Sequence, residues 1–267
     1  MRTKLYDPLN DCLIYQDREA NEQFWDDKWA LAAKITFTNP PRHGLTVSIT
    51  RRYLSSGAIV LEGGCGLGDV VHALEKAHFA VEGIDYAPKV VQAINANWPH
   101  LNVRIGDVRK LDCVDDYYDG YWSFGVIEHF PEGYDAIAAE MYRVLRPGGY
   151  LFLSFPSFSP FRRYRAKMGK YPVSELAARD MPDFFQFALD PESVRKKFEM
   201  IGFRLIEHRG TCALLGLAED WPKLASAVGF IERISVRAAT GISIAIDRLV
   251  GGYAGHSSLL VLQKNEL

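Results

Sequence analysis

The chain has no long apolar run. No uncharged stretch approaches the roughly 20 residues that crossing a bilayer takes. The N-terminus carries no apolar core of signal-peptide type, so a cytoplasmic protein is expected. Cysteine is scarce, and Cys12, Cys65, Cys113 and Cys212 stand far apart with no C-x-x-C pair. That spacing supports neither a zinc site nor a disulfide framework, so no metal is expected. Positive charge is not in excess either: 31 Lys and Arg against 33 Asp and Glu leave a net charge of −2. A nucleic-acid protein working through an overall basic field is thereby excluded. The remaining composition, 48% hydrophobic and 24% charged over 267 residues, fits one sizeable globular domain.

What is present is glycine, concentrated in one place. Ile59 to Leu61 reads as a short buried strand, Glu62 ends it, and Gly63, Gly64, Gly66 and Gly68 follow. Val70, Val71, Leu74 and Ala77 then recur at helical spacing. A strand, a glycine turn and a helix bring backbone close to a ligand at a helix N-terminus. A dinucleotide fingerprint, G-x-G-x-x-G, would need glycine where Asp69 stands, so that pattern fails. Acid-x-G-x-G-x-G fits, through Glu62, Gly64, Gly66 and Gly68. A glycine-rich turn without a ligand stays open from the loop alone.

Further strands end in acids. Phe79 to Asp85 is a second strand, with Asp85 placed to accept hydrogen bonds from a ribose diol and Tyr86 to lie against a nucleoside face. Asn102 to Asp107 is a third, and the Asp107 carboxylate can accept from an exocyclic amine such as that of adenine. Tyr121 to Ile127 is a fourth, with Glu128, His129 and Phe130 leaving its end. A helix from Asp135 to Leu145 stops at Leu145-Arg-Pro-Gly-Gly149, and Tyr150 to Phe155 is a fifth strand. Strands alternating with helices predict a doubly wound α/β sheet with ligand across the strand carboxyl ends.

Glu62 to Gly68, Asp85, Asp107, Gly125-Val-Ile-Glu-His129 and the Leu-Arg-Pro-Gly-Gly turn together resemble the class I S-adenosylmethionine-dependent methyltransferases, in their small-molecule and quinone-type branch. The likeness is strong over residues 56–156 and resumes at Phe184 to Val194 and Gly202-Phe203. It implies a mostly parallel, seven-stranded, Rossmann-like sheet and S-adenosylmethionine as cofactor. By the same resemblance, Gly64, Gly66 and Gly68 approach the methionine part, with Glu62 as the motif's acid. Asp85 would hold the ribose hydroxyls, Asp107 and Val108 the adenine, and Phe124 and Gly125 the cofactor floor.

Outside the motif the chain offers covers for a cleft. Residues 1–55 are expected as an N-terminal helical cap on a methyltransferase domain at 56–267, with insertions at 157–189 and 211–255. Asn21 to Trp29 reads as a helix with Trp25 and Trp29 on one face, either packing on the domain or closing over the cofactor through Trp25. Phe161 to Lys170 holds five positive charges and no acid; Arg162, Arg163 and Arg165 are candidate readers of an anionic acceptor, against a plain solvated loop. Ile231, Ile234, Ala238, Ile242, Ala245 and Leu249 mark an amphipathic helix. Such a helix serves a core or lid, a dimer contact or a membrane surface, and the choice stays open.

The expected activity is methyl transfer to a small-molecule or lipid-like acceptor at oxygen, with His129 as general base or else packed within its loop. Glu128 is read as an anchor of that loop or a chemical group. A dinucleotide-dependent oxidoreductase and a cofactor-binding module without activity are the other readings. Asp69 and the Gly125–His129 segment speak against the former. Neither the acceptor nor the oligomeric state is legible.

Overall fold

The computed structural model describes residues 3–38, 43–221 and 236–266. Its centre is a seven-stranded sheet built from β3 (Ile59–Gly63), β4 (Ala80–Asp85), β5 (Asn102–Ile105), β6 (Tyr118–Phe124), β7 (Leu145–Pro156), β9 (Phe203–Thr211) and β10 (Ser257–Lys264). The spatial order is β5-β4-β3-β6-β7-β10-β9. The first five pair in parallel, whereas β10 runs antiparallel to both β7 and β9. The fold is therefore the mostly parallel, Rossmann-like sheet that the alternation of strands and helices implies.

Each strand shows two faces because successive side chains point to opposite sides. Val60, Trp122, Phe152, Leu259 and Val261 pack with Ile49 of α2 (Gly44–Tyr53) and Val70 and Leu74 of α3 (Asp69–Lys76). Their immediate neighbours Leu61, Tyr121, Leu151, Leu153, Leu260 and Leu262 pack with α5 (Asp135–Val144) and α7 (Pro191–Ile201) on the other side. Burying a Leu or Phe side chain stabilises by about 1.5–3 kcal/mol, so this two-faced core fixes the register. The fourth helix, α4 (Pro88–Asn97), starts at the end of β4 with proline in its first turn.

The N-terminal part differs from an all-helical cap. Helix α1 (Glu22–Thr38) and α2 form as expected, but a hairpin of β1 (Thr3–Asp7) and β2 (Cys12–Gln16) precedes them. The Asp7 carboxylate accepts from the backbone N–H of Leu9 and Asn10 and closes the turn. A two-stranded hairpin is marginal alone. Here β8 (Phe184–Ala188) adds a third antiparallel strand to β2, and Leu13, Tyr15, Phe24, Phe158 and Phe185 form a separate small core.

The 157–189 segment holds α6 (Pro160–Lys167) and β8, and the 211–255 segment holds α8 (Ala213–Asp220) and α9 (Val236–Ala254). Of the amphipathic pattern, Ile231 and Ile234 lie outside the described residues. No described helix is long and apolar enough to cross a membrane.

Candidate cofactor and acceptor cleft

The glycine loop turns at the end of β3, where Gly64 and Cys65 donate their N–H groups to the Ile84 carbonyl at 2.7 and 3.0 Å. Gly64 and Gly66 have φ of +76° and +50°. A Cβ at Gly64 would lie 2.6 Å from Val126 Cγ2, and one at Gly66 would lie 3.0 Å from Trp29 Cζ2. Glycine is needed at both for conformation and for space. The Gly66 N–H donates to Asp85 Oδ2 at 2.8 Å and the Ala87 N–H to Oδ1 at 3.0 Å. The second strand-end acid thus holds the loop in shape and also lines the neighbouring cavity. Burial pushes the Asp85 carboxyl up, and those backbone donors partly offset it.

A cavity of about 510 Å³ opens along the carboxyl ends of β3, β4 and β6, within the size range of small-molecule sites. Gly64, Asp85, Tyr86, Asp107, Val108, Phe124 and Gly125 line one part of it. Trp25, His129, Phe130, Met181 and Phe184 also line it. These residues fit S-adenosylmethionine: a cradle that any Cβ would fill, a buried carboxylate with spare acceptor capacity, and a half-apolar cleft beyond. Asp107 is held below the usual carboxylate range; burial raises it, but Arg109 donates to both of its oxygens and to spare outweighs that effect.

Several expected residues stand elsewhere. Gly66 lies under Trp29, Gly68 packs beside Ile94 at the start of α3, and neither lines the cavity. Glu62 is buried behind the loop, with Oε2 lacking a hydrogen-bond partner among the described residues. Burial, then the nearby Asp69 and Asp85 carboxylates, holds its carboxyl well above the usual range.

The three arginines do not reach the cleft. Arg162 is fully buried, donating to the Ser157 carbonyl and to Glu219 Oε2, with Asp220 at 3.6 Å. Arg163 pairs with Asp11 and Asp190. Arg165 lies over the rings of Phe161 and Tyr171. Their charge is used within the protein, and an anion-reading role for them is corrected accordingly.

Trp25 lines the cleft; its indole N–H donates to the Ala20 carbonyl at 3.1 Å, and its ring stacks on Trp29. The Tyr86 hydroxyl donates to the same carbonyl at 3.0 Å, tying the approach of α1 to the end of β4.

His129 follows the fourth strand and meets the edge of Trp25, ring centres 4.9 Å apart. Its Nδ1 lies 2.8 Å from the Phe185 carbonyl. A carbonyl only accepts, so Nδ1 bears a proton; when the ring is neutral its lone pair is then on Nε2. Glu128 is buried beside it, Oε1 4.0 Å from Nε2, and burial pushes its carboxyl up to about 8 against the opposing effects of its own backbone N–H and of Lys28. Sequence reasoning missed Phe130, Met181 and Phe184 as cleft residues, and no motif marks them.

A family model described as a methyltransferase domain matches residues 60–149, the segment that holds the glycine loop and both strand-end acids. The chain carries a class I S-adenosylmethionine-dependent methyltransferase domain. A probable S-adenosylmethionine-dependent methyltransferase of Mycolicibacterium smegmatis is 32% identical over 136 residues, 50% of this chain and 52% of the relative. The chain thus spans about half the length of that relative. A ubiquinone biosynthesis O-methyltransferase of Pseudomonas savastanoi is 28% identical over 174 residues, 63% of this chain and 73% of that protein. Among solved structures, a TehB-like SAM-dependent methyltransferase from Corynebacterium glutamicum superposes with a TM-score of 0.55 at 14% identity, over 91% of this chain and all of that one. At such identity the superposition speaks for the fold. The domain's cofactor is S-adenosylmethionine.

Proposed function

We propose that the chain transfers a methyl group from S-adenosylmethionine to an oxygen atom of a small-molecule or lipid-like acceptor. The bound cofactor supplies an already activated methyl group, so the protein's work is positioning and proton removal. Gly64, Asp85, Tyr86, Asp107, Val108, Phe124 and Gly125 would hold the cofactor. Trp25, Phe130, Met181 and Phe184 would bury an apolar acceptor body and exclude water.

The observation that carries the oxygen reading is the His129–Phe185 contact. It puts a proton on Nδ1, so that a neutral ring of the cleft-lining His129 would carry its lone pair on Nε2, which is what a hydroxyl acceptor needs and an unprotonated amine does not. The likeness to ubiquinone O-methyltransferases agrees with it. His129 would take the hydroxyl proton onto Nε2 as the oxygen–methyl bond forms, and the Phe185 carbonyl would stabilise the resulting imidazolium through Nδ1–H. The test is a panel of phenols, catechols and amines incubated with methyl-labelled S-adenosylmethionine. Label in an ether product is expected; label only in amine products refutes the oxygen assignment.

A further inference from the structure

Beyond the cleft, three helices leave an apolar surface that the methyl-transfer reading does not use. Helix α9 packs against both α6 and α8, and the Phe161 and Tyr253 rings meet with centres 6.2 Å apart. Around that contact Tyr164 is 57% exposed, Met168 57%, Tyr253 52% and Leu249 84%. On the helical wheel Phe161, Tyr164 and Met168 share one side of α6 opposite the buried Arg162 and Ala166. Leu249 and Tyr253, four residues apart, likewise share one side of α9. A large residue such as Leu249 this exposed beside three others is an interaction surface rather than scattered apolar exposure.

Along α6 and the turn that follows it the charge has one sign. From Pro160 to Val173 the chain contains five Lys and Arg and no acid. With Arg162 and Arg163 paired inside the protein, exposed Lys167 and Lys170 remain at the rim, joined by exposed Arg248 of α9. The acid of α9 nearest to these, Asp247, is turned inward and accepts from the Cys212 and Ala213 N–H groups at the start of α8. Apolar and aromatic side chains ringed by lysine and arginine match an anionic lipid interface, where Tyr sits at headgroup depth and cations meet lipid phosphates.

The position is apt. Pro156 at the end of β7 pairs with Ser257 at the start of β10, and Ser257 pairs with Thr211 at the end of β9. Helices α6, α8 and α9 therefore gather at the carboxyl end of β7 and β9. That is the end of the sheet at which β3, β4 and β6 deliver the glycine loop, Asp85 and Phe124.

We propose that the α6–α9 surface docks the protein on an anionic membrane, with the cleft end of the sheet toward the lipid, so that the acceptor is taken from the bilayer. The choice of acceptor rests on the methyl-transfer reading above; the docking itself does not. The test is co-sedimentation with vesicles of phosphatidylcholine alone and of phosphatidylcholine mixed with phosphatidylglycerol. The protein sediments with the anionic vesicles only, and less at high salt. The combined variant Lys167→Glu, Lys170→Glu, Arg248→Glu loses on the order of 100-fold in partitioning. Leu249→Ser with Tyr253→Ser loses about tenfold on the same vesicles. Calorimetry with S-adenosylhomocysteine confirms that each variant keeps a formed cofactor site, and methyl transfer to a soluble acceptor is unchanged in all of them. Absence of sedimentation with anionic vesicles, or equal sedimentation by the charge-reversed variant, overturns the proposal. So does a lipid-independent dimer broken by the Leu249 and Tyr253 changes, which would assign the surface to a second copy of the chain. Failure to methylate any acceptor would sink the methyl-transfer reading while leaving the vesicle result intact.

Discussion

Replacing Asp85 by Ala tests the cofactor assignment where the structure is most specific. The carboxylate is 6% exposed and already accepts from two backbone N–H groups, Gly66 and Ala87. Truncation therefore acts twice. It would remove the proposed acceptor for the cofactor's ribose hydroxyls, and a hydrogen bond to a charged group contributes about 1.5–3 kcal/mol. It also releases the Gly66 N–H, loosening a loop that must keep φ of +50° under Trp29. One lost charge-assisted bond at 1.36 kcal/mol per decade is a roughly 10- to 150-fold loss in affinity, and loop disorder adds to it. Titration calorimetry with S-adenosylmethionine reads the effect, and thermal unfolding without ligand checks that the variant is folded. A folded variant binding within twofold of the parent would refute the ribose assignment and leave Asp85 as a loop anchor. Burial raises the Asp85 carboxyl; if its ionised form holds the ribose as proposed, affinity in the parent should fall as pH drops through that raised value. In Asp85→Ala this pH dependence disappears.

Gly66→Val should cost more than a bond, since a β-branched side chain at that φ is strained and its Cβ meets the Trp29 ring; calorimetry should show at least tenfold weaker cofactor binding, and unchanged binding would mean that α1 does not close on the loop. Glu128 has its folded value raised to about 8 by burial, so the folded state gains relative stability below its unfolded value and loses it as pH rises toward 8. Glu128→Gln should therefore melt a few degrees higher than the parent at pH 9, at about 2–4 °C per kcal/mol, with the difference vanishing near pH 4; equal melting at both pH values would contradict its protonation in the fold. Arg162→Ala should lower stability by about 1.5–3 kcal/mol by removing the buried charge-assisted bond to Glu219, with Lys4 still paired to Glu219 and Asp220, read by denaturant unfolding, while the KM of a soluble acceptor in the folded fraction stays put. A raised KM with intact stability would return Arg162 to acceptor binding.

The central sheet was legible because its signals are local. Ile59–Leu61 followed by glycines and Val70–Leu74 declares strand, turn and helix within twenty residues, and Asp85 and Asp107 mark strand ends directly. The hairpin at 3–16 was not legible, because its strands owe their stability to β8, which begins at Phe184. The arginines of α6 misled for the same reason. Their run of positive charge is visible in sequence, whereas the partners that use it, Asp11, Asp190, Glu219 and Asp220, come from distant segments. Glu62 was legible as a motif residue but not as a buried one outside the cavity lining, since only packing decides how far a strand-end side chain is covered. His129 could be singled out from its place after the fourth strand. The group that sets its tautomer is a backbone carbonyl of β8, which no side-chain pattern encodes.

The most direct measurement is the pair of rate constants for His129→Ala with an acceptor that the parent methylates at oxygen. Removing a positioned base should lower kcat by roughly 10²–10⁴ while the Kd for S-adenosylmethionine stays within about twofold. The parent's kcat should rise with pH through a single acid limb that the variant lacks. A loss below about threefold, or the same acid limb in the variant, would show that the proton leaves by another route and would contradict the account.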